Sequence, residues 1–197
     1  TVNSAFCSML GYTKAEFESR PRTWFEFVDP SQMSQSWQKI SQLKRGESCH
    51  PFERQYVRKD GSMLPAWVAV VKMLPNEERV LALIIDLSER KKAEKMIRKA
   101  LSMDPDNGAY LDSLGWVLFK LEKYDEALPP LEQATEKSLG GDATVWDHLG
   151  DALLRSMKVE KAIEAWQTAI DHSDDDGAAD AQLLERIKDK LKQHGAS

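Results

Sequence analysis

The residues of this 197-residue chain that most readily bind metals or act as nucleophiles are four histidines and two cysteines. They are scattered along the chain, without the spacing of a metal site: His50, His148, His172, His194, Cys7 and Cys49. The sequence also contains neither a glycine-rich phosphate loop nor a nucleophile turn. Its many carboxylates fall mostly on the solvated faces of predicted helices. The sequence therefore predicts no catalytic residue, no metal site and no enzymatic activity.

One helical motif occurs twice, at a distance of 35 residues. Gly115 and Gly150 each follow a leucine, and Ala127 and Ala162 each lie twelve residues after the glycine. Small residues at this spacing allow two helices to pack closely, as in helical repeats. The motif predicts two helical hairpins, with first helices over 109–120 and 144–156 and second helices over 124–137 and 159–172.

Further helices are predicted on both sides of the hairpins. Ala93 and Ala100 are spaced like the small residues of a second helix, so residues 89–102 are expected to form half a repeat. An apolar stripe near the C-terminal end predicts a helix that caps the array: Leu183, Leu184, Ile187 and Leu191. Pro129 and Pro130 are expected to delay or kink the helix that contains them.

The two copies of the motif resemble the tetratricopeptide repeat (TPR), a family that mostly binds proteins. The resemblance implies a binding groove lined by residues of the first helices: Asp112, Trp116, Phe119, Lys120, Asp147, Asp151, Leu154 and Arg155. Three of these are aspartates, where the two-carboxylate-clamp variant of the family needs Lys, Asn or Arg. We therefore expect a basic or amphipathic protein segment or peptide as the partner. The alternative is that the acids only solvate a short scaffold.

The first 88 residues have a different pattern. Short helices are expected up to residue 48, and alternating strands are then predicted over 52–58, 63–73 and 80–87, with turns at 59–62 and 75–78. Helices followed by an antiparallel meander indicate an α+β domain. The last two strands are apolar on both faces, which predicts that both faces are buried. The aromatic residues Trp24, Phe25, Phe27, Trp37 and Tyr56 are expected in the core.

Several short segments of this part resemble the PAS sensory domain in their order and spacing: Val2-Asn3, Ala5-Phe6, 10–13, 27–30, 58–62 and 86–91. The family has five strands, and its first two precede the Val2-Asn3 element, so the domain is expected to be N-terminally incomplete with an open sheet edge. Haem-binding relatives use a histidine in the helix that corresponds to residues 31–44, and this chain has none there. The cysteine motif of the flavin-binding relatives is also absent, so no cofactor is expected.

The open edge and the apolar strands predict an interdomain or dimer contact formed by Trp67, Val80, Ala82 and Ile84. A homodimer is therefore an expected assembly. Residues 89–197 carry a net charge of −6, which argues against nucleic acid as a partner. The chain contains no apolar run long enough for a membrane span, and its two cysteines suit a reducing cytoplasm.

Taken as one architecture, the chain is predicted to be α+β and then all-α. A PAS-like antiparallel sheet with helices occupies residues 1–88, a shared helix and turn occupy 89–107, and two TPRs with a capping helix occupy 108–197. The expected function is a non-enzymatic protein–protein interaction module, in which a PAS sensor remnant is coupled to a TPR scaffold in signalling or assembly. The alternative is an engineered or recombined chimeric scaffold with no evolved ligand.

Overall fold

The computed structural model describes residues 2–20, 23–72, 80–137, 142–176 and 181–195. The chain divides into two compact units, Thr1–Glu89 and Arg90–Ser197, which are called the first and the second unit below.

The first unit begins with short helices that are fixed by side-chain caps. Asn3 accepts a hydrogen bond from the backbone N–H of Phe6, and Thr13 forms a reciprocal capping box with Glu16. The segments are α1 (Ser4–Met9), α2 (Lys14–Glu18), two 3₁₀ turns (Trp24–Phe27 and Pro30–Gln32) and α3 (Met33–Lys44).

Three antiparallel strands follow in the order β1-β2-β3: β1 (Phe52–Val57), β2 (Met63–Lys72) and β3 (Val80–Asp86). The β1–β2 turn forms because Gly61 adopts a φ of +81°, and the Asp60 carboxylate accepts a hydrogen bond of 2.9 Å from the backbone N–H of Ser62. The predicted α+β meander is confirmed. The turn predicted at residues 75–78 lies outside the described residues.

One face of this sheet packs against the helices and forms the core of the first unit. Phe52, Arg54 and Tyr56 of β1 share this face with alternate residues of β2. The helices and turns contribute the buried side chains of Cys7, Leu10, Phe17, Phe27 and Val28 to the same core.

The prediction that both faces of β3 are buried is wrong within a single chain. Val80, Leu81 and Leu83 are more than half exposed, at 51%, 58% and 57%. Among the described residues β3 pairs with β2 alone, so its other edge is unpaired there. The expectation of an aromatic core is also partly wrong. Phe27 and Tyr56 are buried, whereas Trp24, Phe25 and Trp37 are exposed.

The second unit is a series of antiparallel helices, as the repeat predicted. Their bounds are α4 (Ser88–Leu101, whose first two residues belong to the first unit), α5 (Gly108–Lys120), α6 (Tyr124–Lys137), α7 (Ala143–Arg155), α8 (Val159–Asp176) and α9 (Ala181–His194). The bounds of α4 to α8 lie within a few residues of the predicted limits, and α9 contains the apolar stripe predicted for the capping helix. The TPR-type helical array is therefore confirmed.

Close approach of α5 to α6 and of α7 to α8 explains the repeated glycines. A Cβ added to Gly115 would lie 2.7 Å from Cδ2 of Leu131, and one added to Gly150 would lie 2.5 Å from Cδ1 of Trp166. Leu131 and Trp166 are both fully buried. Each glycine thus leaves the space that the large side chain of the second helix fills.

Helix α6 passes through Pro129 and Pro130 and begins at Tyr124, so the prediction that the prolines delay it is wrong. Each proline removes one backbone donor, which weakens the helix locally. Leu128 and Leu131, which lie on either side of the two prolines, are nevertheless buried in the core of the second unit. Their burial holds this stretch in helical form despite the two lost hydrogen bonds.

The turn inside each hairpin has the same backbone in both copies. Glu122 and Met157 adopt left-handed φ values of 62° and 61°. The next residue then turns its N–H back to the preceding helix: Lys123 donates to the carbonyl of Leu118. Lys158 does the same to Leu153, at 2.9 Å. The left-handed residue is what lets the chain reverse within so few residues.

Candidate protein-binding site

Four rings from α5, α6 and α7 form an aromatic cluster on the second unit: Trp116, Phe119, Tyr124 and His148. Trp116 and Phe119 are three residues apart on α5 and stack with ring centres 4.9 Å apart. The imidazole of His148 also stacks on Trp116, with ring centres 3.9 Å apart, and Tyr124 meets Phe119 edge-on at 5.4 Å. All four rings are partly exposed, so the cluster presents apolar surface to a partner.

Charged groups border this cluster. The ammonium group of Lys120 lies 4.1 Å from the ring centre of Trp116. Arg155 donates a hydrogen bond of 2.5 Å to the hydroxyl oxygen of Tyr124. Asp112 is paired with His148, with 2.8 Å between its Oδ1 and Nδ1. The cluster is therefore held together by stacking and by polar contacts at its rim, while each of its rings stays partly exposed.

Two further predicted residues, Asp147 and Asp151, form a carboxylate pair that the chain itself neutralises. The ammonium group of Lys190 on α9 donates to Asp147 at 2.7 Å and to Asp151 at 2.6 Å. Arg186 donates to Asp147 at 3.2 Å. Asp147 is almost fully buried, and burial raises the pKa of Asp151, although the bond and charge of Lys190 act in the opposite direction.

Seven of the eight predicted groove residues thus separate into two groups. Asp112, Trp116, Phe119, Lys120 and Arg155 belong to the aromatic cluster or its rim, whereas Asp147 and Asp151 are bonded to α9. The eighth residue, Leu154, packs against the core of the second unit and is partly buried.

Sequence reasoning missed His148, Tyr124, Arg186 and Lys190 as members of these groups. His148 occupies the position that Ser113 holds in the first copy of the repeat, so a comparison of the copies could have identified it. Lys190 lies 39 and 43 residues from its partners, which no local pattern reveals.

The structure does not bring the four predicted contact residues of the sheet together. Trp67 pairs with Ile85 and lies on the outer face. Val80, Ala82 and Ile84 belong to the opposite face and line a cleft between the sheet and the helices.

Within the described ranges, no group of three or more His, Cys, Asp or Glu residues is placed to hold a metal ion. In the same part of the chain, each helix is too short or too polar to cross a bilayer. Cys7 is buried, Cys49 is partly buried, and both are unpaired.

The two units match two different families of known proteins. Residues 1–89 match the PAS domain family, and residues 87–193 match the tetratricopeptide repeat-like domain. One stretch of 93 residues is 25% identical to a hybrid signal transduction protein, dokA, of Dictyostelium discoideum. The match covers 47% of this chain and 6% of that protein. Both domain types are typically non-catalytic.

Solved structures of TPR-type chaperones share the fold. PcrH, in complex with the chaperone-binding region of PopD, superposes with a TM-score of 0.51 at 17% identity, over 55% of this chain and 80% of PcrH. The translocator chaperone SycD of Yersinia enterocolitica gives 0.51 at 15% identity, over 55% and 73%. The two family matches and the signal-transduction relative do not support a recombined scaffold, the alternative that the sequence left open. The chain belongs to the tetratricopeptide repeat-like family, and a PAS domain precedes its repeats.

Proposed function

We propose that the chain is a non-enzymatic signalling or assembly module whose aromatic cluster binds an amphipathic segment of a partner protein. The observation that carries this proposal is the cluster itself, because stacked, partly exposed rings are the groups that most often dominate protein interfaces. PcrH, which has the same repeat fold, holds a region of PopD. The unpaired cysteines support a cytoplasmic location.

The basic character proposed for the partner depends on Asp112. Asp112 remains at the rim of the cluster and favours a basic residue in the partner. Asp147 and Asp151 contribute little to that preference, because Lys190 already neutralises both. The apolar contacts with the aromatic cluster therefore determine how tightly the partner segment binds, and the charges at the rim determine the position in which it binds.

The test uses amphipathic helical peptides selected for binding to the whole chain, in pairs that differ only in carrying lysine or glutamate on the polar face. Trp116→Ala is expected to weaken binding about thirtyfold, the loss typical of a hot-spot residue. Tyr110→Ala is the matched control, because Tyr110 is an exposed ring of the same helix outside the cluster. Fluorescence anisotropy measures both. Equal losses in the two variants would place the binding site elsewhere, and tighter binding of the glutamate peptides would refute the basic partner.

We also propose a homodimer in which β3 pairs with β3 of a second copy. Its free edge, its apolar side chains on both faces and the absence of a charge between Val80 and Ile85 support this proposal. The contact would include Val80, Ala82 and Ile84, with Trp67 on the outer face.

Light scattering after size exclusion should show a dimer that dissociates on dilution. Leu83→Lys should yield a monomer, and Met103→Lys, a control on an exposed site of the second unit, should leave the dimer intact. A wild-type monomer at every concentration would contradict the proposal.

A further inference from the structure

Helix α4 has the sequence pattern of the second helix of a hairpin, yet no helix comes directly before it in the chain. Ala93 and Ala100 lie seven residues apart, as Ala127 and Ala134 do in α6. Strand β3 ends at Asp86 and α4 begins two residues later, so the chain has no room there for a first helix. The hairpin that the repeat requires is therefore incomplete at α4.

The burial of α4 differs accordingly from that of α6. The two alanines of α6 are completely buried, whereas no residue of α4 is buried. Ile97 holds the position of Leu131, which is fully buried against Gly115 of α5, but Ile97 is only partly buried. Met96, next to it, is 64% exposed. Four residues form what is called the open face of α4 below: Ala93, Met96, Ile97 and Ala100.

The helix that carries the open face is strongly basic. Six of its fourteen residues are Lys or Arg and two are Glu, whereas residues 102–197 contain ten basic and twenty acidic residues. Lys92 lies four residues before Met96 and Lys99 three residues after it, so all three share one side of the helix. Among the described residues neither lysine forms an ion pair. Their charge therefore attracts carboxylates of another molecule to the border of the open face.

We propose that the open face of α4 binds an acidic amphipathic helix of a partner protein, which takes the place of the missing first helix. A small residue of that helix lies over Ile97, as Gly115 lies over Leu131, and its carboxylates pair with Lys92 and Lys99. This inference goes beyond the proposed function, because α4 contributes no ring to the aromatic cluster and binding here does not depend on that cluster.

The test measures the binding of three hydrocarbon-stapled helical peptides to the whole chain by fluorescence anisotropy. The first peptide has the sequence of α5, with glutamate in place of the exposed Ala109, Ser113 and Lys120. The second carries lysine at these three positions, and the third is the glutamate peptide with Gly115→Leu. The glutamate peptide should bind at least about tenfold more tightly than either of the others, because they bring like charges or a bulky side chain to the open face.

Charge reversal on α4 locates the site. Combining Lys92→Glu with Lys99→Glu should weaken binding of the glutamate peptide at least about tenfold and make the lysine peptide the tighter ligand. Lys188→Glu with Lys192→Glu, the matched control, reverses two exposed lysines of α9 and should change either affinity by less than about twofold. Trp116→Ala should also leave these affinities unchanged, so a failure of this proposal is distinguishable from a failure of the proposed function. Circular dichroism checks that each variant is folded.

Equal affinities for the glutamate and lysine peptides would overturn the proposal, and so would equal losses in the α4 and α9 variants. Two other occupants of the open face give different results. If an anionic membrane surface covers it, phosphatidylserine vesicles bind the wild type but not the α4 variant, and none of the peptides binds. If a second copy covers it, light scattering shows a dimer that charge reversal on α4 dissociates and Leu83→Lys does not. Either result would also overturn the proposal.

Discussion

Replacing Lys190 by methionine should destabilise the second unit by about 3–5 kcal/mol, the cost of breaking a buried ion pair on one side. The variant leaves Asp147 and Asp151 largely buried, and among the described residues the mostly exposed Arg186 remains as the ion-pair partner of Asp147. Urea unfolding followed by circular dichroism measures the change. Lys188→Met is the matched control: its pair with Glu185 is exposed on the same helix, so we expect a loss of about 0–1 kcal/mol.

The loss in Lys190→Met should shrink as the pH falls. Burial raises the pKa of Asp151. A carboxyl group whose pKa is higher in the folded state stabilises the fold at low pH, where it is protonated. This stabilisation is lost as the pH rises through the folded-state pKa. Protonation removes the uncompensated charge, so the variant should approach the wild type as the pH falls toward about 4, near the ordinary pKa of an aspartate. Adding Asp151→Asn should restore part of the stability at neutral pH. A loss of stability below about 1 kcal/mol in Lys190→Met, or a loss that is the same at neutral pH and near pH 4, would contradict this account.

Trp166→Ala should cost about 3–5 kcal/mol, because it empties the largest fully buried site of the chain's described part. Gly150→Ala should cost about 1–3 kcal/mol, since its Cβ would overlap the indole. The two effects should not add. In the Trp166→Ala background the alanine at 150 enters empty space, and it should stabilise α7 by up to about 1 kcal/mol through its helix propensity.

Trp166→Phe provides the control for this cycle. The indole Nε1 of Trp166 has no hydrogen-bond partner among the described residues, so replacing the indole by a phenyl ring breaks no hydrogen bond seen there. We expect a loss well below that of Trp166→Ala when both are measured by urea unfolding. Additive effects of Gly150→Ala and Trp166→Ala would show that the helices do not approach at this point as the structure indicates.

The helical array was predictable because its signals are local. Gly115, Gly150 and their alanines recur at a fixed distance, and the apolar stripe of each helix repeats every three to four residues. The β1–β2 hairpin was equally readable, since Asp60-Gly61 is a turn signal between alternating strands. These patterns depend only on neighbours in sequence, so they fix element types and limits without knowledge of the rest of the fold.

The parts that sequence reasoning missed depend on distant contacts. The bond from Lys190 to Asp147 joins α9 to α7, and nothing around either residue in the sequence signals the other. The apolar residues of β3 predicted burial because composition reports what a strand could bury, not what covers it. Arg54 was overlooked because an arginine in a strand usually points to solvent, whereas here it shares its face with Phe52 and Tyr56.

The left-handed backbone at Glu122 and Met157 has a consequence for chemical synthesis. A positive φ near 60° is strained for an L-residue but is the favoured region of its mirror image. D-glutamate at 122 or D-methionine at 157 would therefore adopt the observed turn more readily than the natural residue. Since the side chain of Met157 is largely exposed, the inverted centre there would disturb few contacts. Both hairpin turns could then be synthesised with D-residues, whose neighbouring peptide bonds resist proteases, while the fold of the array is retained.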